Sequence, residues 1–173
     1  MKATNLLYAA GGGLVVLFIT TYVLVLNSPA SIEVPKPIKS QLNFDPILPS
    51  QKSFEIGSIT YTLDASSFRY DKEAGILTYL LLVNQRKLTI TQQAYPEILV
   101  YDKLVGAMHQ YGEVPVKLGR VALTRPENLK GKQTAVLSTF NGSSGVLIFI
   151  SPETDLAKDQ WRQLFNNLRV HNE

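Results

Sequence analysis

The chain has 173 residues, a length that suits one domain with an appendage. It carries 17 basic and 14 acidic side chains, and the two signs are interleaved, which speaks against a nucleic-acid-binding face of clustered cations. It has no cysteine, so disulfides, thiol catalysis and cysteine-ligated zinc are excluded, and the pattern suits a bacterial surface protein with a core large enough to stand without staples.

Charge is distributed unevenly. Lys2 is the single charged side chain before Glu33. Within this stretch, residues 6–26 read LLYAAGGGLVVLFITTYVLVL. As a helix this run spans about 31 Å, close to the hydrocarbon thickness of a bilayer. No helical phase offers a polar face, which argues against a buried core helix. Tyr8 and Tyr22 stand near its ends, where aromatic rings favour the interface. A cleaved signal peptide is the competing reading, with Ser28 and Ala30 at acceptable positions for cleavage after Ala30. The apolar run is longer than such signals use, so residues 1–27 are expected to be a retained transmembrane anchor. Lys2 and the terminal amine favour a cytoplasmic N-terminus, with the C-terminal domain outside. Gly11-Gly12-Gly13 lacks the spacing of a helix-dimerisation motif and reads as glycine tolerated in lipid.

Residues 28–52 hold Pro29, Pro35, Pro37, Pro46 and Pro49 without periodicity. Proline restricts its own φ and the residue before it, so this stretch is expected to be an extended spacer. Such a break also argues against a type IV pilin, whose hydrophobic helix runs on into the head.

Residues 53–173 are expected to form the extracytoplasmic domain. Phe54–Leu63 reads as a strand, and Asp64–Gly75 as a turn-rich loop. Ile76–Val83 is almost wholly apolar and predicts a strand covered on both faces. Asn84-Gln85 can turn the chain into a second strand over Arg86–Gln92. Pro96 suits the first turn of a helix, whose apolar stripe is Ile98, Tyr101, Leu104, Val105 and Met108, with Gly112 as its end. One or two strands follow over Val114–Thr124. Thr134–Phe140 and Val146–Ile150 flank Asn141-Gly-Ser-Ser-Gly145, a hairpin signal. Ser151 and Pro152 suit the start of a last helix, where Trp161, Leu164, Phe165 and Leu168 repeat at helical spacing. The expected class is α+β: an antiparallel sheet with two flanking helices, preceded by one transmembrane helix.

Residues that could carry chemistry are few. His109 and His171 are the two histidines, and neither has metal-ligand spacing. His109 is placed at the predicted helix C-terminus, where it complements the dipole. Asp64, Asp71 and Glu73 share the predicted loop but lack the calcium-loop pattern, so a solvated turn is the plainer reading. Ser143 and Ser144 lack the spacing of a hydrolase elbow. Asn141-Gly142-Ser143 is a glycosylation sequon, relevant only in a eukaryotic secretory route. Arg86-Lys87 and the Lys130-Gly-Lys132 stretch read as solvated turns. Gln92, Gln93 and Tyr95, two amides and a ring at a strand end, suit contacts with a partner or an ordinary junction. No catalytic, cofactor-binding or metal-binding residue is assigned.

Three pieces carry a resemblance. They are the strand KLTITQQ followed by Pro96-Glu97, the stretch from Val116 to Ala122, and the terminal strand VLIFI leading into a helix with Leu164 and Leu168. Across residues 54–170 this order resembles the PsbP-like fold, and also small domains of unknown function behind single anchors in bacterial sporulation and anti-sigma-type membrane proteins. The resemblance implies a non-enzymatic binding or assembly module and brings no catalytic residues. The expected function is therefore a membrane-anchored extracytoplasmic binding or interaction module. It is expected to hold the bilayer through residues 6–26, to have a protein partner, and to bind no nucleic acid or cofactor. Two alternatives stand beside it: an envelope enzyme using carboxylates such as Asp64 or Glu97, and a structural subunit of an envelope complex.

Overall fold

The computed structural model describes residues 32–96, 103, 106, 108–126, 131–141 and 144–171. The described residues are 58% strand and 11% helix, so the domain is mostly β and the α+β expectation is corrected. In chain order the elements are α1 (Lys36–Lys39), β1 (Ile47–Pro49), β2 (Ser53–Ile56), β3 (Ile59–Asp71), β4 (Ile76–Val83), β5 (Arg86–Ala94), β6 (Met108–Val116), β7 (Gly119–Pro126), β8 (Thr134–Asn141), β9 (Ser144–Pro152), α2 (Lys158–Asn166) and β10 (Leu168–Val170). Eight strands form one antiparallel sheet in the order β2-β3-β4-β5-β9-β8-β7-β6, and β1 pairs with β10 in a small second sheet. Among the described residues no helix is long and apolar enough to cross a membrane, and the expected anchor, residues 6–26, lies outside them.

The hairpins follow from local chemistry. Asn84 and Gln85 both have positive φ, 47° and 68°, which gives the two-residue turn whose twist matches the strands it joins. Val83 thereby faces Arg86, and the expected hairpin forms. Between β3 and β4, Asp71 Oδ1 accepts from the N–H groups of Glu73 and Ala74, both at 3.0 Å, so this carboxylate builds its own turn. Asn141 pairs with Ser144 across the β8–β9 hairpin, while Gly142 and Ser143 lie outside the described residues.

Strand β3 runs further than expected. The loop anticipated from Asp64 is strand with a register shift between Asp64 and Arg69. Side chains replace the missing ladder. Ser66 donates to Asp64 Oδ1 through both its N–H (3.0 Å) and its hydroxyl (2.6 Å). The Leu80 N–H of β4 donates to Ser67 Oγ at 2.8 Å, and Arg69 covers the Ser66 and Phe68 carbonyls at 2.9 and 2.7 Å. A segment rich in turn formers is held in the sheet by those same polar groups.

The two flanking helices are also corrected. Met108–Gly112 belongs to β6, where Met108 faces Pro126 and Gly112 faces Leu123, so no helix ends at Gly112. The rest of that predicted helix falls mostly outside the described residues. At the other end, Ser151 and Pro152 continue β9 because Thr89 and Leu88 of β5 pair with them. Helix α2 begins only at Lys158, after Ala157, and its buried face is Trp161, Leu164 and Phe165. Leu168, expected on the same stripe, lies in β10.

The core forms on one face of the sheet. Tyr61, Leu63 and Phe68 of β3, Leu77, Tyr79 and Leu81 of β4, and Leu88 and Ile90 of β5 join Trp161, Leu164 and Phe165 in one buried cluster. Helix α2 touches β6 and β2, the two edge strands, and also β10, so the sheet curls until both edges meet one helix. The buried members of the cluster run from Val34 to Leu168, and the compact unit is Ser31–Glu173, which therefore carries a complete core of its own. Residues 32–52, the described part of the 28–52 stretch expected to be an extended spacer, are part of that unit. Val34, Phe44, Ile47 and Leu48 are buried between the prolines, and Pro46 and Pro49, which have no N–H to satisfy, suit the short β1 ladder.

A single amide fixes β1 over the sheet. Gln92, fully buried in β5, accepts from Ile47 N–H at 2.8 Å and donates to Ile47 C=O at 2.7 Å. The Tyr79 hydroxyl adds a second bond to the same carbonyl at 2.8 Å. Burial pushes the Tyr79 phenol far above its ordinary pKa, so it stays a donor throughout the accessible pH range. Replacing Gln92→Leu keeps the volume but strands the Ile47 N–H, and chemical denaturation is expected to show a loss of about 2–3 kcal/mol. Tyr61 provides the contrast. Its hydroxyl is buried with no hydrogen-bond partner among the described residues, so Tyr61→Phe is expected to leave stability unchanged or raise it by up to about 1 kcal/mol.

Candidate functional site

Among the described residues, two clefts stand out. One, of about 490 Å³, lies under α1 and beside Pro46 and His171. The other, of about 380 Å³, is built by three connections that meet at one place. The β2–β3 hairpin contributes Ile59. The β4–β5 hairpin contributes Val83, Asn84, Arg86, Lys87 and Leu88. The β9–α2 connection contributes Pro152 to Leu156, with Gln160 from the first turn of α2. Ile59, Val83, Leu88 and Leu156 make an apolar floor, and charged and amide side chains make the rim.

The β9–α2 connection is held at almost every residue. Glu153 N–H donates to Lys87 C=O at 3.3 Å, and Arg86 donates to Thr154 Oγ1 at 2.7 Å. Asp155 pairs with Arg125, whose guanidinium lies 5.5 Å from the Tyr111 ring centre and also donates to Gly131 C=O at 2.9 Å. Leu156 is clamped by Gln133, which accepts from its N–H at 2.9 Å and donates to its C=O at 3.3 Å. The same Gln133 oxygen accepts from Trp161 Nε1 at 2.9 Å, and its amide nitrogen donates to the Tyr111 hydroxyl. Ala157 N–H is taken by Gln160 Oε1 at 2.9 Å. This side of the cleft is therefore organised before any ligand arrives.

The charges on the rim do not cancel. Asp155 is neutralised by Arg125. Arg86 and Lys87 make no ion pair among the described residues, and Glu153 is the one further carboxylate lining the cleft. The rim thus has an excess of one positive charge, set beside an apolar floor. Gln85, adjacent to it, holds the left-handed backbone that side chains other than glycine and asparagine rarely adopt, at a cost of about 1 kcal/mol or more.

The residues singled out by sequence are scattered. Gln92 is buried inside the domain as the β1 clamp, while Gln93 faces the other side of the sheet opposite Leu147. Tyr95 donates its N–H to Gly145 C=O at 2.7 Å at the strand end. These three do not make a common surface. His109 sits in β6 opposite Arg125, so the helix-dipole role falls away with the helix end. The His171 N–H donates to Pro46 C=O at 2.9 Å, and His171 lines the first cleft. Asp71 and Glu73 belong to the β3–β4 turn, whereas Asp64 lies in the β3 irregularity. Arg86 and Lys87, read as a solvated turn, are the cationic side of the second cleft. Gln133 was not singled out at all, and one isolated amide between a loop and a strand offers no local signal. Among the described residues no three His, Cys, Asp or Glu side chains converge as a metal site would require.

No protein-family model, curated protein or solved structure matches the chain. The PsbP-like resemblance is neither strengthened nor weakened by that result.

Asp64, the carboxylate considered for catalysis, is half-buried and committed to the irregularity of β3. The Ser66 hydroxyl, more than the Ser66 N–H or the charges of Arg69 and Lys87, holds its carboxyl below the usual range. A lowered carboxyl pKa favours the folded state above the unfolded value, and that contribution vanishes as pH falls through the folded value. Ser66→Ala is expected to move the Asp64 pKa upward toward that of a free aspartate, as read by NMR titration of its side-chain carbon. An unmoved titration would show that the hydroxyl contributes nothing.

Proposed function

We propose that the chain is an extracytoplasmic binding module held at a membrane by residues 6–26, with its N-terminus on the cytoplasmic side. The anchor rests on the uncharged apolar run of membrane-spanning length. The binding role rests on one observation: a cleft with an apolar floor and an unbalanced cationic rim, one side of which is fixed by Gln133, Arg86 and Arg125. A small number of placed polar groups over an apolar surface is what a recognition site needs. Of the carboxylates named for the envelope-enzyme alternative, Asp64 accepts two hydrogen bonds from Ser66, and Glu97 lies outside the described residues.

Two measurements test this reading. The full chain is expected to stay with membranes through alkaline carbonate washing, and protease added to intact cells is expected to remove the domain while sparing the N-terminus. Release by carbonate would sink the anchor. Crosslinking in native membranes followed by pull-down is expected to capture a ligand or partner through Lys87, and the capture is expected to fall when Arg86 and Lys87 are both changed to glutamine.

A further inference from the structure

We propose that the second cleft binds a small anionic amphiphile, a carboxylate on a short alkyl body. The inference rests on the binding-module reading and supplies its ligand class. The head would meet Arg86, whose guanidinium spends one nitrogen on Thr154 Oγ1 and keeps its remaining donors for a carboxylate, with Lys87 beside it. The alkyl body would cover Ile59, Val83, Leu88 and Leu156. The charge balance of the lining selects an anion: once Asp155 is paired with Arg125, Arg86 and Lys87 stand against Glu153 within the cleft, while Asp64, outside the lining, meets Lys87 only beyond ion-pair distance and also faces Arg69. The volume, about 380 Å³, selects a small ligand. An extended peptide fits less well. Leu88 already pairs with Leu81 on one side and Pro152 on the other, so the floor there offers no open strand edge for a second main chain.

The fold supplies a reporter. Trp161 is the sole tryptophan, follows Gln160 on α2, and shares the Gln133 oxygen with the Leu156 N–H. Contact on Leu156 is thereby relayed to the indole.

The test is titration of residues 31–173, the unit that contains its own core, with octanoate, followed by Trp161 fluorescence and by backbone amide shifts. Saturable octanoate binding is expected, with amide shifts concentrated over residues 84–88 and 152–160. Acetate, which lacks the alkyl body, and octylammonium, which reverses the charge, are each expected to bind at least tenfold more weakly. Arg86→Gln with Lys87→Gln is expected to weaken octanoate at least tenfold while the unfolding midpoint stays within that of the parent. Lys36→Gln, at the other cleft, is expected to change nothing. Equal binding of octylammonium, unchanged binding by the double variant, shifts centred on the other cleft, or no saturable response to octanoate would each overturn the proposal. Failure here together with a crosslinked partner through Lys87 would remove the ligand class and leave the binding-module reading in place. Failure of both would remove the two together.

Discussion

An antiparallel sheet with an apolar core face cannot be left uncovered, and this constraint organises the domain. The core face presents Tyr61, Leu77, Tyr79, Leu81, Leu88 and Ile90, and burying it is the main source of stability. Helix α2 covers part of it with Trp161, Leu164 and Phe165. The remainder falls to β1, a three-residue strand too short to hold itself. Gln92 solves that problem by giving the Ile47 backbone both a donor and an acceptor, as a neighbouring strand would. A buried amide satisfied on both ends costs little, while the same amide with one end free would be expensive. The polar group in the middle of the core is thus a fastening for the segment above it.

Gln133 repeats the device at the other end of the sheet. It holds Leu156 by both backbone groups and the indole of Trp161 as well. The cleft is a by-product of this fastening. A connection of five residues between a strand and a helix would ordinarily be the most variable part of a β domain. Here Lys87, Arg86, Arg125 and Gln160 each take one of its groups and Gln133 takes two, so its polar face is presented in a fixed arrangement.

Much of the sheet was legible in the residues because its hairpins are local. Asn84-Gln85, Ile76–Val83 and the two flanks of Asn141–Gly145 declared themselves through turn chemistry and apolar runs. Three features were not legible, and each depends on distant residues. Met108–Gly112 carries the tail of a helical stripe yet becomes strand because β7 pairs with it. Asp64–Phe68 has the composition of a turn yet stays in the sheet through Ser67 and Arg69. The prolines around Ile47 suggest a spacer, and the apolar residues between them matter only once a concave face exists to receive them. The cleft was hidden for the same reason. Arg86-Lys87 has the sequence signature of a solvated turn, and only the approach of Pro152–Leu156 makes it one side of a site.

The pairing of β1 with β10 has a consequence for synthesis. The segment that lids the core, β1, waits for a partner that is made only after all eight strands of the large sheet. α2, the other cover, precedes β10 by a single residue, Asn167. A nascent chain therefore displays a nearly finished sheet with its apolar side open until α2 and β10 have been made, and a chain stopped before α2 lacks both covers. Such a product would be a target for holdase chaperones and proteases rather than a partly working domain. Quality control of this protein is accordingly written into its topology, since the core closes only once α2 and β10 are present.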